Sequence, residues 1–239
     1  MDKIEILKYH FLFEIEDINI SRSISFILYH SDLENKNDLL NTYLHENELA
    51  YYNTLEFDSR KNSYLLGRVA SKLAIAEFFN KNWNTYKNIY ISRGFLGEPV
   101  ILNSPLIISI SHSLKTAVAC ASANDMNVGI DLEYMENFKH INSIQMTQHE
   151  YKITLSHQLF NQKQWFAILW SAKESLVKFL KIGFTLTYEM LEIKNIIINK
   201  ECLEIYFSHF LSLKCYTFIN NNQILSVCLN GLVRASSSC

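Results

Sequence analysis

Proline and glycine are scarce, two and six among 239 residues. No Pro-rich or Gly/Ser-rich linker separates one half of the chain from another, so any subdomains are closely joined. No apolar run approaches the ~20 residues that a membrane helix needs. The N-terminus MDKIEILKYHF lacks the basic, apolar, small-residue order of a secretory signal. Both absences lead to the expectation of a cytoplasmic protein without a membrane partner. The five cysteines are odd in number and never spaced C-x-x-C, which argues for buried or incidental thiols over disulfides or a zinc site. The formal charge of −2 provides no field to draw in nucleic acid, so any anionic ligand must be held by local groups.

What is present is a core. About half the residues are apolar, 49%, against 19% charged, which excludes disorder and suits one large domain or two small ones. Alternation and turn residues predict strands over Phe11–Ile15 and Ser23–Tyr29, a weak helix over Leu39–Tyr52, and a long helix capped near Asp58-Ser59 and running to Phe79. That helix has a basic side of Arg60, Lys61, Arg68 and Lys72, either a solvated face or a phosphate contact surface. Strands are expected at Asn88–Ser92, Ile107–Ser111, Thr116–Ala121 and Asn127–Glu133, with the turn Gly94–Pro99 after the first of them. A polar loop leads to a second long helix over Gln164–Gly183, and a four-strand meander closes the chain. The order strands, helix, strands, helix, strands predicts an α+β fold of two similar halves, residues 1–125 and 126–239, each a long helix on an antiparallel sheet. No residue-level repeat between them is visible.

The second long helix carries two stripes. Trp165, Leu169, Ala172, Leu176 and Leu180 form a buried face, and Ser171, Glu174, Lys178 and Lys181 a polar one. Taken alone, Glu174 and Lys178 are an ordinary i,i+4 pair on a solvated face. Upstream, Asp131 and Glu133 stand two apart on a strand, and a period of two sets them on one face. Three carboxylates converging would repel one another unless a cation lay between them, and a hard divalent ion prefers such oxygen ligands.

Two segments carry a resemblance. Val128-Gly129-Ile130-Asp131-Leu132-Glu133 and Trp170-Ser171-Ala172-Lys173-Glu174-Ser175-Leu176-Val177-Lys178 resemble, at every position, the paired motifs of the 4'-phosphopantetheinyl transferases, in particular the larger surfactin-synthetase-activating type. The resemblance implies transfer of the phosphopantetheine arm of coenzyme A to a serine of an apo carrier protein, with adenosine 3',5'-bisphosphate released. It implies an active site in the cleft between the halves and a monomer. It implies Mg2+, with Mn2+ as an alternative, on Asp131, Glu133 and Glu174, and Lys178 beside the phosphate being transferred. Glu150, 24 residues before Glu174, is the second candidate with Glu174 for the base that activates the carrier serine.

For coenzyme A, Ile110-Ser111-His112-Ser113 resembles the family motif whose histidine and serines touch the phosphates, so Ser111, His112 and Ser113 join Lys178 as candidate contacts. The chain departs from the family at two places. Glu98 stands where the family often has a lysine in G-K-P, and Ser63 where an arginine is expected. Arg60 or Arg68 is the substitute candidate for the 3'-phosphate. Two other readings use the same residues: a metal-dependent phosphohydrolase or nuclease, and a non-catalytic binding module.

Overall fold

The structure is a computed structural model. It describes residues 7–15, 18–80, 86–102, 104–137, 146–183, 185–230 and 233–237, with backbone alone at 7–15, 18–25, 137 and 233–237. Contacts divide the chain into two compact units, Met1–Val128 with Arg234–Cys239, and Gly129–Val233.

The first unit opens with strands β1 (Leu7–Ile15) and β2 (Ile18–His30), paired antiparallel. Three helices follow: α1 (Lys36–Tyr43), α2 (Glu46–Thr54) and α3 (Asp58–Phe78). Then come a hairpin of β3 (Ile91–Arg93) and β4 (Pro99–Ile101), and a second hairpin of β5 (Leu106–Ser113) and β6 (Thr116–Ala123). The main sheet has the order β12-β1-β2-β6-β5, its first strand being β12 (Val233–Ser237). Helix α3 packs on β6, β2 and β5, burying Leu65, Leu66, Val69, Ala70 and Ile75 against Ala119 and Ala121.

The second unit opens with β7 (Gly129–Tyr134), followed by α4 (Gln148–Ser156) and α5 (Gln162–Leu180). Strands β8 (Ile193–Ile198), β9 (Leu203–Phe207), β10 (Leu213–Asn220) and β11 (Gln223–Asn230) complete it. The sheet order is β7-β11-β10-β9-β8, antiparallel throughout. Helix α5 lies on β7, β11 and β10, with Trp165, Leu169, Ala172 and Leu176 in the core. From β2 and from β7 the two units share an order of strand, short helix, long helix, hairpin, hairpin, with β2 paired to β6 and β7 to β11, while β1, α1 and β12 are extra elements of the first sheet and its helices. The expected α+β fold of two similar halves is what forms.

Local chemistry moves several expected boundaries. The single helix expected over Leu39–Tyr52 is two, because His45 is extended (φ −63, ψ 154) and starts α2 as its N-cap, its Nδ1 accepting the Asn47 amide while Glu48 caps the His45 amide. Helix α3 is preceded by Phe57 as N-cap with no side-chain cap bond, so Asp58 falls in the first turn, where its charge suits the helix dipole. The strand expected at Asn88–Ser92 is a 3-10 turn, Tyr86–Asn88, followed by β3. The polar loop before α5 contains α4, whose start is a capping box of Thr147 and Glu150. Thr147-Gln148-His149-Glu150 is the S/T-x-x-E signal of such a start, where only a loop is expected above.

Candidate functional site in the second unit

Strand β7 and helix α5 approach at a glycine. A Cβ on Gly129 would fall 2.0 Å from the carbonyl oxygen of Ser175 and 2.3 Å from the amide nitrogen of Phe179, closer than atoms can come. Only a residue without a side chain lets the strand lie this near the helix backbone. Because alternate strand residues share a face, Asp131 and Glu133 stand on the same side of β7 as Gly129, the side toward α5. Their register partners on β11 are Ser226 and Ile224. Beneath Asp131, Ser226 shares a 2.9 Å hydrogen bond with Thr217, both fully buried.

From α5, Glu174 and Lys178 stand one turn apart. The Lys178 ammonium lies 2.7 Å from Asp131 Oδ1 and 3.9 Å from Glu174 Oε2. Asp131 is 2% exposed, so this is a nearly dry carboxylate matched by a lysine that reaches it along the helix flank. Burial pushes the Glu174 carboxyl up to about 7, with Lys178 pulling it down and the Asp131 charge pushing it further up. Two carboxylates and one ammonium therefore share a small volume, and their charges are felt.

Glu133 is half-buried on the same strand face. Among the described residues, however, no three Asp, Glu, His or Cys side chains gather in an arrangement ready to hold a metal ion. The convergence seen is of Asp131 and Glu174 on Lys178. That donor set suits Mg2+, which is bound through one or two carboxylates plus substrate phosphates and water. A divalent ion would also reverse the cost of placing two negative groups together.

Of the remaining motif residues, Ser171 is fully buried, not part of a solvated stripe, and its hydroxyl meets no hydrogen-bond partner among the described residues. Lys173 is buried too and pairs at 2.8 Å with Glu150. Glu150, offered by the sequence as a base, is 0% exposed. Its oxygens take the amides of Thr147 at 2.8 Å and Ile193 at 2.9 Å besides the Lys173 ammonium. With three donors on it and no exposed surface, this carboxylate is placed as a structural acceptor rather than as a base for a substrate hydroxyl.

The first unit holds the other candidates. Ser111, His112 and Ser113 end β5, the serines buried and the histidine exposed. Arg60 is exposed in the first turn of α3. Arg68 is not on a solvated face: its Nε is 3.3 Å from Glu48, its Nη2 donates to the Ile91 carbonyl at 3.2 Å, and its guanidinium lies 4.5 Å from the Tyr64 ring centre. Lys72, on the same supposed basic side, is buried 2.5 Å from Glu48. The sequence reading missed this because Glu48 lies 24 residues from Lys72. Glu98, in the lysine position, turns its carboxylate back on its own hairpin and accepts the Leu96 amide at 2.9 Å.

Residues 127–228 match the family model of the 4'-phosphopantetheinyl transferase superfamily. The matched segment includes Asp131, Glu133, Glu174 and Lys178 and spans most of the second unit. Among solved structures, the chain is similar to a holo-(acyl-carrier-protein) synthase from Bacillus anthracis str. Ames, crystallised in complex with CoA (3',5'-ADP), at 24% identity. That similarity covers 42% of this chain and 93% of the other, with a TM-score of 0.38. No curated protein matches the chain. Among the described residues no helix is long and apolar enough to cross a membrane.

Proposed function

We propose that this protein transfers the 4'-phosphopantetheine group of coenzyme A to a serine of an apo carrier protein, acyl, aryl or peptidyl, as a cytoplasmic monomer of the surfactin-synthetase-activating type. The observation that carries this is the meeting of Asp131 and Glu174 on Lys178, inside the segment that matches the superfamily model.

In the reaction the carrier serine oxygen forms a bond to the phosphorus that bears the pantetheine arm. The bond from that phosphorus to the bridging oxygen of the pyrophosphate breaks, and adenosine 3',5'-bisphosphate leaves with the electron pair. The barrier lies in alignment and in charge on phosphate oxygens. Lys178 is placed to donate to those oxygens as charge builds on them. Glu174, beside Lys178 and less buried than Asp131, accepts the serine proton. Asp131 holds the Lys178 ammonium in position. Asp131, Glu174 and Glu133 are the residues that would hold Mg2+, or Mn2+ in its place, which when bound would offset negative charge on the phosphates. We assign contacts with the phosphates of coenzyme A to Ser111, His112, Ser113 and Arg60. Arg68 and Glu150 are left out because both are buried and ion-paired within their own units.

The test is incubation of the protein with coenzyme A, Mg2+ and a panel of apo carrier proteins, followed by mass measurement. A gain of one phosphopantetheine on the carrier serine is expected. Release of adenosine 3',5'-bisphosphate with every carrier left unmodified would replace transfer by hydrolysis.

A further inference from the structure

One carboxylate in each unit ties three elements together, and the two are built alike. Glu150 is the third residue of α4 and caps its own helix start by accepting the Thr147 amide. It accepts the amide of Ile193, at the head of β8, and holds the ammonium of Lys173 from α5. Glu48 is the third residue of α2 and accepts the amide of its N-cap residue, His45. It accepts the amide of Ile91, at the head of β3, and holds the ammonium of Lys72 from α3. The glutamate precedes its strand amide by 43 residues in both units, and its lysine by 24 and 23.

The repetition shows what the device is for. It recurs in the first unit, outside the segment that matches the superfamily model, around a different set of neighbours. What it does in common is fasten a short helix, a long helix and a strand at one buried point.

In the second unit this fastening falls next to the candidate site, because Lys173 immediately precedes Glu174. Successive helix residues point about 100° apart. With the Lys173 ammonium pinned to Glu150 on one flank of α5, Glu174 is turned to the flank that faces β7. The packed apolar face and the close approach at Gly129 set where α5 lies, and a hydrogen-bonded ion pair adds one fixed geometry to its rotation. A rotation of about 20° would carry a side-chain atom at the helix surface by about 2 Å, enough to part Lys178 from Asp131.

We propose that Glu150 and Lys173 are positioning residues, whose buried pair fixes the rotation of α5 and so sets Glu174 and Lys178 opposite Asp131. Neither touches coenzyme A or the carrier. The role rests on the transfer reading above for its consequence in rate, and on the second unit alone for its geometry.

The experiment compares wild type with Lys173→Met, Glu150→Gln and the double variant Glu150→Gln/Lys173→Met. It follows kcat and KM for coenzyme A, the melting temperature, and the 15N resonance of the Lys178 ammonium in the metal-free protein. Lys173→Met strands a buried carboxylate and is expected to melt about 10 °C lower. The double variant removes that charge and regains most of the loss. Its kcat stays about 100-fold down because α5 is no longer held in rotation, KM changes less than about threefold, and the Lys178 resonance moves toward that of a free lysine. Glu150→Gln, which keeps a hydrogen-bonding side chain, gives an intermediate kcat and serves if the other variants do not fold. Recovery of kcat together with melting temperature, or an unmoved Lys178 resonance, overturns the proposal. So does a tenfold rise in KM at unchanged kcat, which would make Lys173 a ligand contact. Should wild type transfer nothing to any carrier, the functional reading falls, and the Lys178 resonance still decides the role of the pair.

Discussion

Gly129 and Ser175 touch backbone to backbone, so that a Cβ on the first would lie 2.0 Å from the carbonyl oxygen of the second. Neither atom can yield without moving the strand or the helix. Gly129→Ala is expected to destabilise the protein by at least about 1–3 kcal/mol through overpacking and to lower transfer by pushing α5 from β7. Thermal denaturation and the carrier assay measure both. Retention of wild-type melting would show that the helix can back away at no cost.

Lys178 pairs with nearly dry Asp131 at 2.7 Å. Lys178→Ala leaves that charge uncompensated, an expected cost of about 3–5 kcal/mol, and it removes the donor to the phosphate. Asp131→Asn removes the charge and should cost less stability while lowering transfer by about 100-fold or more. The two variants thus rank oppositely in melting temperature though both fail in transfer.

Metal-free protein should lose stability as pH rises through the acid range because of Glu174. Its carboxyl titrates near the ordinary 4.5 in the unfolded chain and at about 7 in the fold. Between those values the folded state keeps the proton and the unfolded state releases it, so unfolding is increasingly favoured up to about pH 7 and no further by this group above it. Subtracting the melting profile of Glu174→Gln from that of wild type between pH 4.5 and 8 isolates the effect. A flat difference would mean that Glu174 ionises freely. Mg2+ is expected to reduce the slope, since it favours the carboxylate.

Glu98 spends its carboxylate on the Leu96 amide. Glu98→Lys therefore removes a turn hydrogen bond, for a loss of about 1 kcal/mol, and opens the β3–β4 turn. Hydrogen exchange at the Leu96 amide should accelerate. Unchanged protection would assign the stability of that turn to Gly97, which sits at φ +88, and to the backbone bond from Gly94 to Glu98.

Much of the second unit could be read without coordinates. The spacing of Asp131 and Glu133, the i,i+4 step from Glu174 to Lys178, and the apolar stripe of α5 are local patterns, and local patterns survive in one dimension. The T-x-x-E start of α4 is equally local. By contrast, the basic side of α3 reads in a helical projection as either solvated or phosphate-contacting, and the projection cannot show that Glu48 from another helix takes Arg68 and Lys72 into the interior.

The sequence alone determined the α+β alternation and the carboxylates and lysine that gather near β7, because backbone periodicity and short-range spacing set which residues share a face. The tertiary structure alone decided that Glu150 and Arg68 are interior fastenings and that the two units repeat a glutamate, a lysine and a strand amide. Burial and partner choice depend on residues 20 to 43 positions away. A charge becomes a ligand contact or a structural tie according to what folds over it.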